Sequence, residues 1–200
     1  MSGTVGILLC AGGSTRMGVD KLLTPIAGKT AIERSLGALI RGGADRIIFT
    51  VSPATRAFVE SLTCPVPSQI VEGGQTRAES VKHALDMIDS AAIVAIHDAA
   101  RCMVSPETVR ASILSAEAFG SGVVAGKVTD TIVQLSENGV TTLDRNQLIR
   151  MQTPQTFRFD RIKHAYDTGD LTVVTDDCAL YIAAGYEPRF VYTEGDAANQ

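Results

Sequence analysis

Short, unbroken apolar runs alternate along most of the chain with longer stretches in which apolar positions return every three or four residues. The runs fall at 5–10, 46–51, 68–71, 92–97 and 122–125 and carry almost no charge, the pattern of strands buried on both faces. The stretches between them have readable helix ends. Thr30 and Glu33 form a capping box, Ile32, Leu36, Leu39 and Ile40 share one face, and Gly42-Gly43 supplies a stop. Glu72-Gly73-Gly74 leads into a second helix over 76–87, and Ser105-Pro106 opens a third that runs to about residue 118. Strands and helices in this rhythm predict an α/β fold with a mainly parallel sheet flanked by helices.

The rhythm breaks after Lys127. Residues 127–145 read as two strands around Ser136-Glu137-Asn138-Gly139, where Asn-Gly is a strong hairpin-turn signal. Two strands alone are marginal in water, so a hairpin leaving the sheet needs a surface to pack on, such as a second subunit. Helices over 159–167 and 176–184 and a strand at 189–192 resume the α/β pattern. With no repeat, low-complexity stretch or linker, residues 1–200 are expected to form one domain with 127–146 as a β-arm.

Composition narrows the function. Apolar residues make up 45% and charged ones 20%, ordinary values for a soluble globular protein. A net charge of −4 argues against a general nucleic-acid binder. No apolar run approaches the roughly 20 residues of a membrane span, and the N-terminus enters a strand without a signal-peptide pattern. Cys10, Cys64, Cys102 and Cys178 form no CxxC pair, and His83, His97 and His164 have no metal-ligand spacing. Reduced thiols, a cytoplasmic location and no protein-built metal centre are the expectation.

Four segments carry candidate chemistry. In "LLCAGGSTRMGVDK" (8–21) a strand breaks into small residues followed by Arg16, Gly18 and Lys21. The lysine comes too late for a Walker A loop, and the glycines miss the dinucleotide intervals, which weighs against a nicotinamide dehydrogenase. Backbone N–H groups at Ala11, Gly12 and Gly13 could approach a ligand closely, with Arg16 and Lys21 adding charge. An ordinary strand–helix turn with two solvated cations is the competing reading. In "VEGGQTRAESV" (71–81), Ser80 stands ready for a base edge and Arg77 guards the loop, or Ser80 simply bonds its own helix. In "VAIHDAARCMVS" (94–105), Asp98 at a strand end suits a metal ion or a substrate hydroxyl, while His97 reads as a structural histidine. In "LDRNQLIRMQTPQTF" (143–157) and "VTDDCAL" (174–180), Thr175 is a plausible helix cap, with Asp176 and Asp177 favoured in the first turn by the helix dipole.

"CAGGSTRMGVDK", "EGGQTRAESV", "HDAAR", "VTDT", "LDRNQL", "QTPQTF" and "TDD" follow the order and spacing of the methylerythritol-phosphate cytidylyltransferases. The chain resembles that family over essentially its whole length. The resemblance implies a Rossmann-like sheet of the nucleotidyltransferase type and transfer of a cytidylyl group from CTP to 2-C-methyl-D-erythritol 4-phosphate, with release of pyrophosphate. It implies that Arg16 and Lys21 stabilise the transition state, and that Ala11, Gly12, Gly13, Gly74, Arg77 and Ser80 serve CTP, with Ser80 on the cytosine ring. Asp98 and Arg101 would hold the polyol phosphate. The arm of a homodimer would bring Thr131, Arg145 and Thr175 to the partner's substrate, and Mg²⁺ would be bound mainly through CTP phosphates. Pentitol-phosphate cytidylyltransferases, acting for instance on ribitol 5-phosphate, share "QTPQTF" and form the nearest rival. A nucleotide-binding module with impaired turnover is the alternative from another class. The sequence departs from the family pattern at Asp20 and Leu22 beside the loop lysine, and at Cys102 after "HDAAR". Near the end Asn199 matches the start of an Asn-x-Lys element whose positioning lysine has no counterpart, as expected of a trimmed chain.

Overall fold

The computed structural model describes residues 3–12, 21–137, 139–172 and 174–193. The chain runs through β1 (Thr4–Cys10), a small hairpin of β2 (Pro25–Ile26) and β3 (Lys29–Thr30), α1 (Ala31–Gly42), β4 (Arg46–Val51), α2 (Pro53–Ser61) and β5 (Ser68–Glu72). It continues with α3 (Arg77–Asp86), β6 (Ile93–Asp98), α4 (Pro106–Phe119) and β7 (Ser121–Lys127). The arm strands β8 (Ile132–Ser136) and β9 (Gly139–Leu143) follow, then a 3-10 turn at Arg145–Gln147, β10 (Ile149–Arg158), α5 (Phe159–Thr168), α6 (Asp177–Ala183) and β11 (Phe190–Tyr192).

Seven strands form the main sheet in the order β11-β7-β10-β6-β1-β4-β5. Every neighbouring pair is parallel except those of β10, which runs antiparallel to both β6 and β7. The strand β1 is buried at every position. Its Val5, Ile7 and Leu9 join a cluster with Val81, Leu85, Ile162 and Tyr181 from α3, α5 and α6. Leu8 and Cys10 join the opposite cluster, with Ile32, Leu36 and Leu39 of α1 and Val109 and Ile113 of α4. Strand alternation thus feeds two apolar layers, which explains why the runs read as unbroken.

Helix α1 begins and ends as its sequence dictates. The Thr30 hydroxyl accepts from Glu33 N at 3.2 Å, the Glu33 carboxylate accepts from Thr30 N at 2.8 Å, and Gly43 closes the helix at φ 118°. At the start of α6 the outcome differs from expectation. Asp176, not Thr175, is the cap, its carboxylate accepting from Ala179 N at 2.8 Å. Asp177 is fully buried and turned to side chains of other elements, not left on the helix end for its dipole alone.

Three elements lie outside the sequence expectations: the β2–β3 hairpin, α2 and β10. Helix α2 carries Pro at its first turn after Ser52, a start signal of ordinary form. The buried positions of β10 run from Gln152 to Phe157, and four of them, Gln152, Thr153, Gln155 and Thr156, are polar, so no apolar run marks it. Each of those four polar groups has hydrogen-bond partners: Gln155 Oε1 accepts from Cys178 N at 2.9 Å, and Thr153 Oγ1 meets His97 Nδ1 at 2.9 Å. The β8–β9 arm forms as expected, with Ser136 paired to Gly139 across its turn and Gly139 at φ 120°. Asn138 lies outside the described residues.

Candidate active site

The chain lays β1, β4 and β5 side by side in one direction across the sheet, then crosses to place β6 on the other flank of β1. At such a reversal the connections leave the carboxyl ends of adjacent strands in opposite directions, and a crevice opens there. Leu9 pairs with Asp98, so β1 and β6 deliver Ala11-Gly12 and Asp98 to the same edge. The second glycine pair arrives from β5. Gly73 N donates to Val51 O at 2.9 Å, and a Cβ on Gly73 would lie 2.3 Å from Ala11 Cβ. The two loops are in contact.

Helix α3 fixes the second loop. Thr76 caps it by accepting from Glu79 N at 3.1 Å, and Glu79 accepts in return from Gln75 N at 2.6 Å. The buried Ser80 hydroxyl donates to Thr76 O at 2.9 Å and accepts from Gly74 N at 3.0 Å. Ser80 therefore bonds its own helix and loop, and what it still offers a ligand is one lone pair.

Beside the loops lies a charged array. Arg77 donates from Nε to Asp98 Oδ1 at 3.0 Å and from its two terminal nitrogens to Asp177 at 3.0 and 2.9 Å. Arg101 Nε reaches Asp98 Oδ2 at 3.4 Å, and the Tyr166 hydroxyl donates to Asp177 Oδ1. Burial works against charge on Arg77, but Asp177 and Asp98 outweigh it and hold its pKa above the ordinary arginine value. Burial likewise pushes Asp98 up, and the Arg77 charge and hydrogen bond, helped by Arg101, bring it below the usual carboxylate range. Behind Asp98, His97 is buried and held down to about 4 by desolvation. Thr153 Oγ1 joins its ring to the strand end, accepting from Asp98 N at 3.2 Å.

Of the sequence-predicted residues, Ala11, Gly12, Gly74, Arg77, Ser80, Asp98 and Arg101 gather around this edge. Thr175 is exposed two residues before Asp177. Lys21 is exposed, and Leu22 beside it is buried in the core against the α1 face. Gly13 and Arg16 lie outside the described residues. Thr131 and Arg145 sit together at the base of the arm, where Arg145 donates to Thr129 O at 2.8 Å. Among the described residues, no hydrogen bond or ion pair joins them to Asp98 or to the glycine loops. Sequence reasoning missed Asp177 as a partner of Arg77; the two are 100 residues apart, and no local signal links them. Among the described residues no group of three or more metal-ligating side chains exists, and both Asp98 oxygens are engaged by arginines.

Two glycine loops in contact at the carboxyl edge of a parallel sheet, beside an Asp98 held by Arg77 and Arg101, suit an α/β enzyme of the nucleotidyltransferase kind. The family model for 2-C-methyl-D-erythritol 4-phosphate cytidylyltransferase matches residues 4–199. The chain belongs to that family. The enzyme of that name from Prochlorococcus marinus is 34% identical over 90% of this chain and 84% of its own length. The solved structure of the Francisella tularensis cytidylyltransferase superposes with a TM-score of 0.81 at 26% identity, covering 99% of this chain and 94% of that one. The bifunctional IspDF of Campylobacter jejuni matches with a TM-score of 0.82 and 30% identity over 99% of this chain, which spans 52% of that protein.

Proposed function

We propose that this chain transfers a cytidylyl group from CTP to 2-C-methyl-D-erythritol 4-phosphate. An oxygen of the acceptor phosphate forms a bond to the α-phosphorus, the bond to the β-phosphate oxygen breaks, and pyrophosphate leaves. The product is 4-diphosphocytidyl-2-C-methyl-D-erythritol. The observation that carries the reading is the contact of two glycine loops beside the arginine-bound Asp98 at the crossover of the sheet.

Both reactants are anions, so the obstacle is mutual repulsion together with charge growing on the equatorial oxygens. Fixed positive charge and positioning answer it, and the acceptor needs no general base because its phosphate is already ionised. Arg16 and Lys21 take the transition-state charge, and Ala11, Gly12 and Gly13 approach the nucleotide through their backbone. Ser80, its O–H donated in a hydrogen bond to Thr76 O, meets a base as an acceptor. That suits the amino edge of cytosine and not the carbonyl edge of uracil. Asp98 and Arg101 face the polyol phosphate.

The donor set of this edge is one for anions, so Mg²⁺ would ride on the phosphates of CTP and keep most of its waters. When bound it supplies further charge neutralisation on the nucleotide. The arm exposes Val133, Leu135 and Val140 (49, 76 and 68% exposed) on two strands that, among the described residues, pair with each other and with no third strand. Packing against a second copy would cover them and carry Thr131 and Arg145 toward a partner's acceptor, with Thr175 beside it. Sedimentation at micromolar concentration is expected to report a dimer. With soluble phosphate esters as substrates, the place of action is cytoplasmic.

The deciding experiment is a coupled pyrophosphate assay with four nucleotides and several polyol phosphates. Turnover is expected only with CTP, a divalent ion and methylerythritol phosphate. Faster turnover with ribitol 5-phosphate would reassign the acceptor. CTP binding without pyrophosphate release from any acceptor would reduce the protein to a nucleotide-binding module.

A further inference from the structure

Arg77 touches three elements at once. It is the first residue of α3, directly behind the second glycine loop and its Thr76 cap. One edge of its guanidinium holds Asp98 at the end of β6, and the other holds Asp177 at the first position of α6, two residues after Thr175. Three of its five N–H donors are committed in one rigid plane, so the angle between the two carboxylates is fixed. Asp177 is wholly buried and is itself held by the Tyr166 hydroxyl from α5. A buried pair of this kind adds little stability over an apolar pair of the same shape. What it supplies is geometry.

We propose that Arg77, seated by Asp177 and Tyr166, is a positioning residue that sets the Asp98 carboxylate and holds the nucleotide side of the crevice, on α3, at a fixed separation from the acceptor side, on β6 and α6. This inference rests on the cytidylyl-transfer reading for the identity of the two sides. It assigns Arg77 to the alignment of two substrates, in place of contact with CTP. Arg101, which meets the second oxygen of the same carboxylate, is aligned through it.

Two variants and three readouts test the proposal. Arg77→Lys keeps a positive charge and loses the planar fork; Asp177→Asn keeps the shape and weakens the seat. Each is expected to lower kcat by about 10²-fold, the size of a small misplacement of reacting groups, and to raise KM for the polyol phosphate. The dissociation constant for CTP, measured by calorimetry without acceptor, should stay within about twofold. Tyr166→Phe, which removes only the outermost bond, should show the same split with a smaller loss. A crystal structure of Arg77→Lys should show the Asp98 carboxylate turned from its wild-type position. Unchanged kcat in both variants, or a loss confined to CTP affinity, overturns the proposal. If Asp177→Asn does not fold, Arg77→Lys decides alone. If the wild-type protein releases no pyrophosphate, the functional reading fails by itself, and the position of Asp98 in the Arg77→Lys crystal still judges the relay: an unmoved carboxylate overturns it.

Discussion

The two glycine loops look alike in sequence and differ in what their glycines are for. Among the described residues, a Cβ on Gly12 would meet nothing within 4 Å. On Gly73 it would strike Ala11 Cβ at 2.3 Å, and on Gly74 it would strike Glu79 Cβ at 2.2 Å. The missing side chain at Gly12 makes way for no other described residue, while those at Gly73 and Gly74 let two parts of the protein meet. A glycine pair after a strand therefore reports a tight place without saying which partner makes it tight. The distinction divides the whole edge into residues that face a ligand and residues that hold the edge in shape, and variants on the two sides should fail differently.

The largest effect belongs to the ligand-facing side. Lys21→Ala should lower kcat by about 10²–10³-fold, the size seen when one donor to transition-state charge is removed, with thermal stability unchanged because Lys21 is exposed. Arg16→Ala should lower kcat to a similar extent. A loss in KM alone for both would contradict their role.

On the holding side, His97 should make itself felt through pH. Its folded pKa of about 4 lies below the ordinary 6.5, so the unfolded chain binds the extra proton between those values. The contribution of His97 to stability is therefore full above about pH 6.5 and is lost as pH drops toward and below 4, by about 3 kcal/mol in all. Denaturant titrations across that range should show the slope, and His97→Gln should flatten it.

Gly73→Ala comes next, with a loss of about 1–3 kcal/mol from overpacking against Ala11. That corresponds to a fall in Tm of about 2–4 °C per kcal/mol for a chain of this size. Gly12→Ala should be the mildest, leaving stability within about 0.5 kcal/mol while raising KM for CTP. If Gly12→Ala lowers Tm as much as Gly73→Ala does, the division between the loops is wrong.

Most of the sheet was legible because β1, β4, β6 and β7 are buried on both faces and write their position as apolar runs; β5, expected from its run to be buried as well, is an edge strand with no buried position. The bounds of β4 follow directly from the run at 46–51. The helices between were legible through their caps, as at Thr30 and Gly43. Strand β10 was not, because Gln152, Thr153, Gln155 and Thr156 enter the core as polar groups whose partners come from distant elements. The same physics governed the site. Loop residues announced themselves by type, and the family resemblance ordered them. The Arg77–Asp177 pair is tertiary information, and the first-turn aspartate looked like an ordinary helix start until the fold turned it inward. Ser80 was legible as a residue of interest, and its hydrogen bonds decided for the loop it braces.

A crystal grown with CTP and magnesium tests the central claim most directly. The triphosphate is expected against the backbone of Ala11 and Gly12, with the Lys21 ammonium on its oxygens and the α-phosphorus facing the Asp98 side of the crevice. A nucleotide lodged away from the crossover between β1 and β6, with these groups left in solvent, would contradict it.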